Sequence, residues 1–247
     1  MSTARNAKAD YGVDAPGVVL RFVIIALVGM IFAVIAPFVV DDRDLALRVA
    51  SMGRTTAIWC SISATVMVWG SRVGKLRLRD RILDGLALRG DEQVLDVGCG
   101  RGLLLLGAAR RLPKGKASGI DLWQKQDKEG NTPDTTRENA RIEGVEERIE
   151  LTTGDMRELP FKAKRFDVVL SSWAIHDIHD AADRRKAILE IVRVLKPGGR
   201  VRILDIRHTA EYEGALREAG LVDVTRSRPS FLFVIPSRIV SARKAAA

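Results

Sequence analysis

The residues of this chain best suited to chemistry lie in two short stretches. SSWAIHDIHD, residues 171–180, holds two of the three histidines directly after the apolar run FDVVL, and the third, His208, follows VRILDI. Histidine titrates near neutral pH, so one placed just beyond a strand can take a proton from a hydroxyl, thiol or ammonium group. An acid such as Asp177, Asp180 or Asp205 could orient its second nitrogen. His176 and His208 are therefore the candidate catalytic residues, while His179 suits a solvated loop. The competing reading of His176 is a cap that bonds backbone groups at the strand end. His-x-x-His with nearby carboxylates also gathers metal-ligand types, but an i, i+3 pair beyond a strand lacks the fixed facing geometry of a helix. No metal is expected.

The second stretch is VLDVGCGRG, residues 94–102, which sets Gly98, Gly100 and Gly102 between an apolar run and a helical one. Such glycines allow positive φ and let a ligand approach the backbone closely. Their alternation differs from the G-x-G-x-x-G of a dinucleotide loop, which disfavours a nicotinamide-dependent oxidoreductase. Asp96, two residues before the first glycine, suits a ligand with a cationic end. Asp121 closes the next apolar run, ASGID, where an acid can accept from both ribose hydroxyls. Asp155 and Met156 follow RIELTTG, where a carboxylate could accept from an adenine amine. Cys99 reads as a small filler of the glycine turn, and with Cys60 it makes neither a disulfide framework nor a zinc pattern.

These residues need a scaffold, and the pattern from about Arg81 onward supplies one. Seven apolar runs, QVLDVG, ASGIDLW, RIELTTGD, FDVVLSS, GRVRILDI, LVDVTRS and FVIPSRIVSARK, alternate with helical stretches such as LLLLGAARRL, TPDTTRENARIEGV, AADRRKAILEIVRVL and TAEYEGALREAG. This is the texture of an α/β domain. Lys196-Pro197-Gly198-Gly199 is expected to stop a helix and turn into the fifth strand.

From VLDVGCGRG through GID, GDMRELPF, FDVVLSSWAIHDI and LKPGGR, residues 82–247 resemble the class I S-adenosylmethionine-dependent methyltransferases. The resemblance implies a Rossmann-like seven-stranded sheet of order 3-2-1-4-5-7-6 with its last strand antiparallel. It implies S-adenosyl-L-methionine as cofactor, held by Asp96, Gly98, Gly100, Gly102, Asp121, Leu122, Asp155, Met156 and Ser171. The methionine portion would lie on the glycines, the ribose on Asp121 and the adenine by Asp155 and Met156. The segment WQKQDKEGNTPDTTRENA departs from simpler members and is expected to form a lid or an acceptor wall.

Ahead of this domain, two runs lack charge: 19 residues between Arg21 and Asp41, and 17 between Arg54 and Arg72. The first is long enough to cross a hydrocarbon core of about 30 Å, and the second is at the lower limit. Two transmembrane helices within 18–71 are expected, after a tail of 1–17 and before a basic linker of 72–81. Positive charge in SRVGKLRLRDR places both termini in the cytoplasm. A cleaved signal peptide is disfavoured, because cleavage after Ala36 would leave Pro37 at the cut. The net charge of +9 suggests anionic surfaces, but 5% aromatic content does not suit a nucleic-acid stacking platform. The expected partners are therefore the lipid bilayer and a small acceptor of a kind that can partition into it. A tethered cofactor-binding protein without turnover is the alternative.

Overall fold

A computed structural model describes residues 8–123, 131–233 and 235–246. The chain folds as two units, residues 12–75 and a second made of the N-terminal residues up to Tyr11 with 76–247.

The first unit is a helical hairpin of α1 (Pro16–Val39) and α2 (Arg43–Trp69), extended by a π-helical turn over Gly70–Gly74. Asp42 starts α2 by accepting the Leu45 N–H at 2.9 Å, which satisfies one of the donors a helix leaves free at its start. The two helices meet through small residues. Ala26, Gly29, Ala33 and Ala36 on α1 and Ala46, Ala50, Gly53 and Ala57 on α2 are buried, whereas Ile24, Leu27, Ile31, Phe32, Ile58 and Ile62 are exposed. At the crossing, a Cβ added to Gly53 would lie 2.4 Å from the Gly29 carbonyl oxygen and 2.8 Å from the Ala33 nitrogen. Small side chains inside and large apolar ones outside is the reverse of a water-soluble helix pair and matches helix packing in lipid. At the open end, Lys75 Nζ donates to the Gly12 carbonyl at 2.6 Å and pairs with Asp14 at 3.1 Å, and the Asp14 N–H donates to Ser71 Oγ at 2.9 Å.

Two corrections concern this region. Of the two expected spans, α1 alone has the length and apolarity to cross a membrane, with a mean hydropathy of 2.9 over its best window. The second uncharged run belongs to a longer helix that also carries Arg43, Asp44, Arg48 and Arg54. The stretch expected as a basic linker is helical, passing into α3 (Lys75–Asp84), and Lys75 and Arg79 are buried.

The second unit is an α/β sandwich whose strands are β1 (Gln93–Val97), β2 (Lys116–Asp121), β3 (Ile149–Thr153), β4 (Phe166–Ser172), β5 (Leu195–Asp205), β6 (Leu221–Arg226) and β7 (Arg238–Lys244). They form one sheet of order β3-β2-β1-β4-β5-β7-β6, parallel except for β7, which runs antiparallel to both neighbours. The helices α4 (Leu103–Ala109), α5 (Pro133–Ile142), α6 (Ala181–Val194) and α7 (Thr209–Glu218) complete it. Each face carries its own apolar layer. Leu78, Leu83, Leu104 and Leu105 cover one, and Ile188, Ile191, Tyr212 and Leu216 cover the other. Burial on both faces explains why the central strands read as continuous apolar runs. The last strand is shorter than its sequence run, beginning at Arg238. Leu195, ahead of the Lys-Pro-Gly-Gly turn, already pairs with Phe166.

The helix crossing yields a test. Gly53→Leu should lower the melting temperature of the helical signal in detergent, because the added side chain meets backbone. Gly17→Leu should leave it unchanged, since an added Cβ there meets nothing within 4 Å.

Candidate active site

The carboxyl ends of β1, β2 and β4 converge on the glycine turn. The Gly98 and Cys99 N–H groups donate to the Ile120 carbonyl at 2.8 and 3.2 Å, which ties the turn to the end of β2. Gly98, Gly100 and Gly102 all have positive φ, at 72°, 48° and 88°. A Cβ on Gly98 would lie 2.2 Å from that of Ala174, so the stretch 171–180 lies directly on the loop. Met156, from the end of β3, reaches the same place, its Cε 3.4 Å from that Cβ position. Four expected pieces are thereby brought together.

Asp96 is fully buried beneath the loop. Its Oδ2 accepts the Leu105 N–H at 2.8 Å, while Oδ1 has no partner among the described residues. Burial, aided by the negative charge of Asp121 and opposed by the Leu105 hydrogen bond, pushes its pKa up to about 7. The Cys99 thiol is likewise pushed well above its ordinary value by burial, which suits a filler and not a nucleophile.

Asp121 accepts the Gly100 N–H at 2.9 Å through Oδ2 and the Trp123 N–H at 2.8 Å through Oδ1. It therefore shapes the glycine turn, and its remaining lone pairs can still receive hydroxyl donors. Leu122, beside it, is exposed and offers an apolar surface to a flat ring. Residues 124–130 of the expected lid lie outside the described residues. The part that follows supplies residues which sequence reasoning missed. Asn131 is buried, and its Oδ1, without a partner among the described residues, lies 3.7 Å from the Cβ position of Gly100. Thr136 Oγ1 donates to the Gly100 carbonyl at 2.7 Å. Asn139 Nδ2 donates to the carbonyls of Arg101 and Asp10, both at 3.0 Å. No local motif marks these three, and only their position after Asp121 could have drawn notice.

Two expected cofactor residues are committed elsewhere. The Asp155 carboxylate is held by the Arg157 guanidinium at 2.6 Å, which lowers its pKa, and Arg157 also pairs with Asp183 at 2.5 Å. The Ser171 hydroxyl is buried and donates to the Val97 carbonyl at 2.8 Å, binding β4 to the end of β1.

His176 sits in a single 3-10 turn after β4, its side chain mostly buried. Its Nδ1 is 2.6 Å from Oδ1 of Asp205, and its Nε2 is 3.2 Å from Oδ1 of the more exposed Asp177. Asp205, at the end of β5, is wholly buried and also accepts the His176 N–H at 3.1 Å, the Ile206 N–H at 2.8 Å and the Tyr212 hydroxyl at 3.3 Å. The carboxylate is fixed by these backbone and hydroxyl donors, and the imidazole lies beside it at ion-pair distance. Burial, with the nearby Asp205 charge, raises the Tyr212 phenol far above its ordinary range, so it remains a donor.

His208 does not join this pair. It lies at positive φ before α7, with Nδ1 2.8 Å from Glu211, and lines a cavity beyond the end of β5. His179 is exposed, and Trp173 packs against Phe233 with ring centroids 4.7 Å apart. Among the described residues, no group of three His, Cys, Asp or Glu side chains is arranged to hold a metal.

Comparison with known proteins agrees with this geometry. Residues 95–203 match the family described as a methyltransferase domain. The chain is 34% identical over 173 residues to the 27-O-demethylrifamycin SV methyltransferase of Amycolatopsis mediterranei, covering 59% of each protein. It is 32% identical over 167 residues to the ubiquinone/menaquinone biosynthesis C-methyltransferase of Ruegeria sp., covering 67% of this chain and 62% of that one. It thus spans less than two thirds of the length of these curated relatives. Among solved structures, the geranyl diphosphate C-methyltransferase of Streptomyces coelicolor shares the fold with a TM-score of 0.56 at 17% identity, over 68% of this chain and 79% of that one. The [4+2]-cyclase SpnF does so with a TM-score of 0.57 at 21% identity, over 70% and 82%.

Asp96 generates a pH prediction. Its folded-state pKa lies above the usual value for an unfolded chain, about 4. The ligand-free domain should therefore lose stability as pH rises from about 4 through about 7, because the buried carboxyl must ionise. A cationic ligand prefers the ionised form, so its affinity should rise over the upper part of that window and level off above it. Calorimetric titration across pH should show this step, and Asp96→Asn should abolish it.

Proposed function

We propose that this methyltransferase domain of the class I fold is a working S-adenosylmethionine-dependent enzyme, tethered to a membrane and acting on a small, membrane-partitioned acceptor. The observation that carries the reading is the pair of buried acceptor atoms without a partner among the described residues, Asp96 Oδ1 and Asn131 Oδ1, beside a turn of three positive-φ glycines in which Gly98 and Gly102 leave no room for a side chain. A ligand bearing an ammonium group and a sulfonium fits such a cradle. Asp121 would receive its ribose and Leu122 and Met156 would flank its adenine. The committed carboxylate of Asp155 leaves backbone groups as the ring's polar partners.

When bound, the cofactor supplies an activated methyl group. The chain's own task is to hold the acceptor in line with that group and to exclude water, which together provide most of the acceleration in a displacement of this kind. His176 lies two residues beyond Ala174, which touches the glycine turn. Its Nε2 would take the proton from a hydroxyl, thiol or activated carbon acid while Asp205 stabilises the resulting imidazolium. Asp177, exposed at the rim, would release Nε2 as the acceptor arrives.

The hairpin would provide the tether. Asp10 and Tyr11 are bonded into the α/β unit, Tyr11 through its hydroxyl to Glu143 at 2.6 Å, so the chain leaves this unit and returns to it. Both ends of the hairpin then lie on one side of the membrane, the cytoplasmic side by the excess of basic residues after α2. Charge decides the depth. A hairpin dipping only part way would bury Asp41, Asp42, Arg43 and Asp44 in hydrocarbon. One that crosses fully releases these four and leaves Arg48 and Arg54 within the hydrocarbon depth, about 8 and 16 Å along α2 from Arg43. An arginine near mid-depth costs about 2.5–3.5 kcal/mol and one nearer the surface less, so burying two charges instead of four favours full crossing.

Four measurements test this reading. Calorimetry on detergent-solubilised protein should show binding of S-adenosylmethionine that Gly100→Val and Asp121→Ala each weaken by more than tenfold, and unchanged affinity in both variants would reject the site. Alkaline carbonate should fail to extract the chain, and reporters fused at Asp44 and Ala247 should give opposite topological signals. Once membrane extracts yield an acceptor, His176→Ala should lower turnover by about 10²-fold with little change in cofactor affinity. Cofactor binding without turnover in any extract would favour a tethered binding protein instead.

A further inference from the structure

Beyond the end of β5, the α/β unit opens into a cavity of about 600 Å³. Its lining joins Arg207, Arg226 and Arg238 to an apolar wall that includes Phe231 and Pro236. Charge here is unbalanced. The one acid of the lining is Glu211, whose carboxylate is shared by Arg184 at 2.7 Å and His208 at 2.8 Å. Arg226 is balanced by Glu213, while Arg207 and Arg238 have no carboxylate partner among the described residues, which leaves a surplus of two positive charges.

Most of their donors are uncommitted. Arg207 makes no ion pair among the described residues. Arg226 meets Glu213 through Nε at 2.9 Å, and Arg238 donates one N–H to the Ser227 carbonyl at 3.0 Å. Each guanidinium has five N–H donors in a planar fork, which suits the oxygens of a phosphate group. The apolar wall asks for something different, a hydrocarbon surface to cover Phe231, whose side chain is otherwise exposed.

Placement links this cavity to the proposed base. The lining residue Ile206 donates its N–H to Asp205, the same carboxylate that holds the His176 ring. Across the sheet, Asp205 is paired in register with Arg238 of β7. The cavity therefore begins at the residue next to the one that orients His176.

We propose that this cavity binds the acceptor and that the acceptor is a phosphate ester on an apolar body, its phosphate among Arg207, Arg226 and Arg238 and its body along Phe231 and Pro236. The charge of a phosphate monoester, close to −2 at neutral pH, matches the surplus. This inference rests on the methyltransferase reading above, since it assigns the acceptor side of the same site.

The test uses full-length protein in neutral detergent. Hexyl phosphate, 1-hexanol and inorganic phosphate are each titrated with and without saturating S-adenosylhomocysteine. Hexyl phosphate should bind saturably and at least tenfold more tightly than either of the other two. Arg207→Gln and Arg226→Gln should each weaken it at least fivefold while keeping the wild-type affinity for S-adenosylhomocysteine, which shows that the fold is intact. Dihexanoyl phosphatidate distinguishes a lipid headgroup from a single-chain ester: tighter binding than hexyl phosphate supports a lipid acceptor, and weaker binding supports the single-chain class. Hexyl phosphate binding no better than hexanol, or unchanged by both substitutions, overturns the proposal. Failure of S-adenosylhomocysteine to bind the wild type would instead overturn the methyltransferase reading.

Discussion

The arrangement of the site depends on one close approach, that of Ala174 to Gly98. With any side chain at residue 98 the segment following β4 could not lie against the turn following β1, because the added Cβ would overlap that of Ala174. Closing this distance sets the proposed donor loop beneath the stretch that carries His176. Strand pairing fixes both sides, with Val97 in register with Ser171 and the Ser171 hydroxyl bonded to the Val97 carbonyl. Ser171 thus holds the two strand ends level, its hydroxyl hydrogen donated within the protein.

The architecture of the α/β unit was legible because its strands are buried on both faces and so spell themselves as apolar runs. The strand order and the antiparallel last strand followed from the resemblance, and the structure has both. Other features were harder to read for identifiable reasons. Sequence shows that Asp155 is an acid at a strand end, but not that Arg157, two residues on, folds back to claim it. Asn131 and Thr136 lie in a segment without periodicity, and their contacts with Gly100 arise from the path of the chain between β2 and α5. Among the three acids that could have oriented His176, spacing gave no preference. Asp205 lies beside Nδ1 because β5 neighbours β4 in the sheet, and Asp180 is instead used to cap α6.

The hairpin shows the limits of counting charges along a run. An uncharged stretch between two arginines suggested a second independent span, yet the helix containing it starts twelve residues earlier and includes Arg43, Asp44, Arg48 and Arg54. What supports the proposed membrane role of the pair is the inversion of packing, a property of the folded surface. Glycine and alanine make the contact, and the large aliphatic side chains face outward. In water this would leave a large apolar area exposed on both helices, far beyond what a soluble monomer tolerates. In lipid the same surface needs no cover.

Asp205 carries the argument from fold to chemistry. Buried carboxylates are tolerated when donors surround them, and here the donors come from three elements: the turn after β4, the turn after β5, and Tyr212 on α7. That network ties the backbone of His176 and that of Ile206, which lines the arginine-bearing cavity, to one carboxylate. His208, though similar in sequence context, lacks such a carboxylate and rests on Glu211, which Arg184 also claims. The difference between two histidines that looked alike in the sequence is therefore a difference in what lies behind them. One is backed by a fixed charge within the protein, and the other forms part of a cationic wall open to solvent.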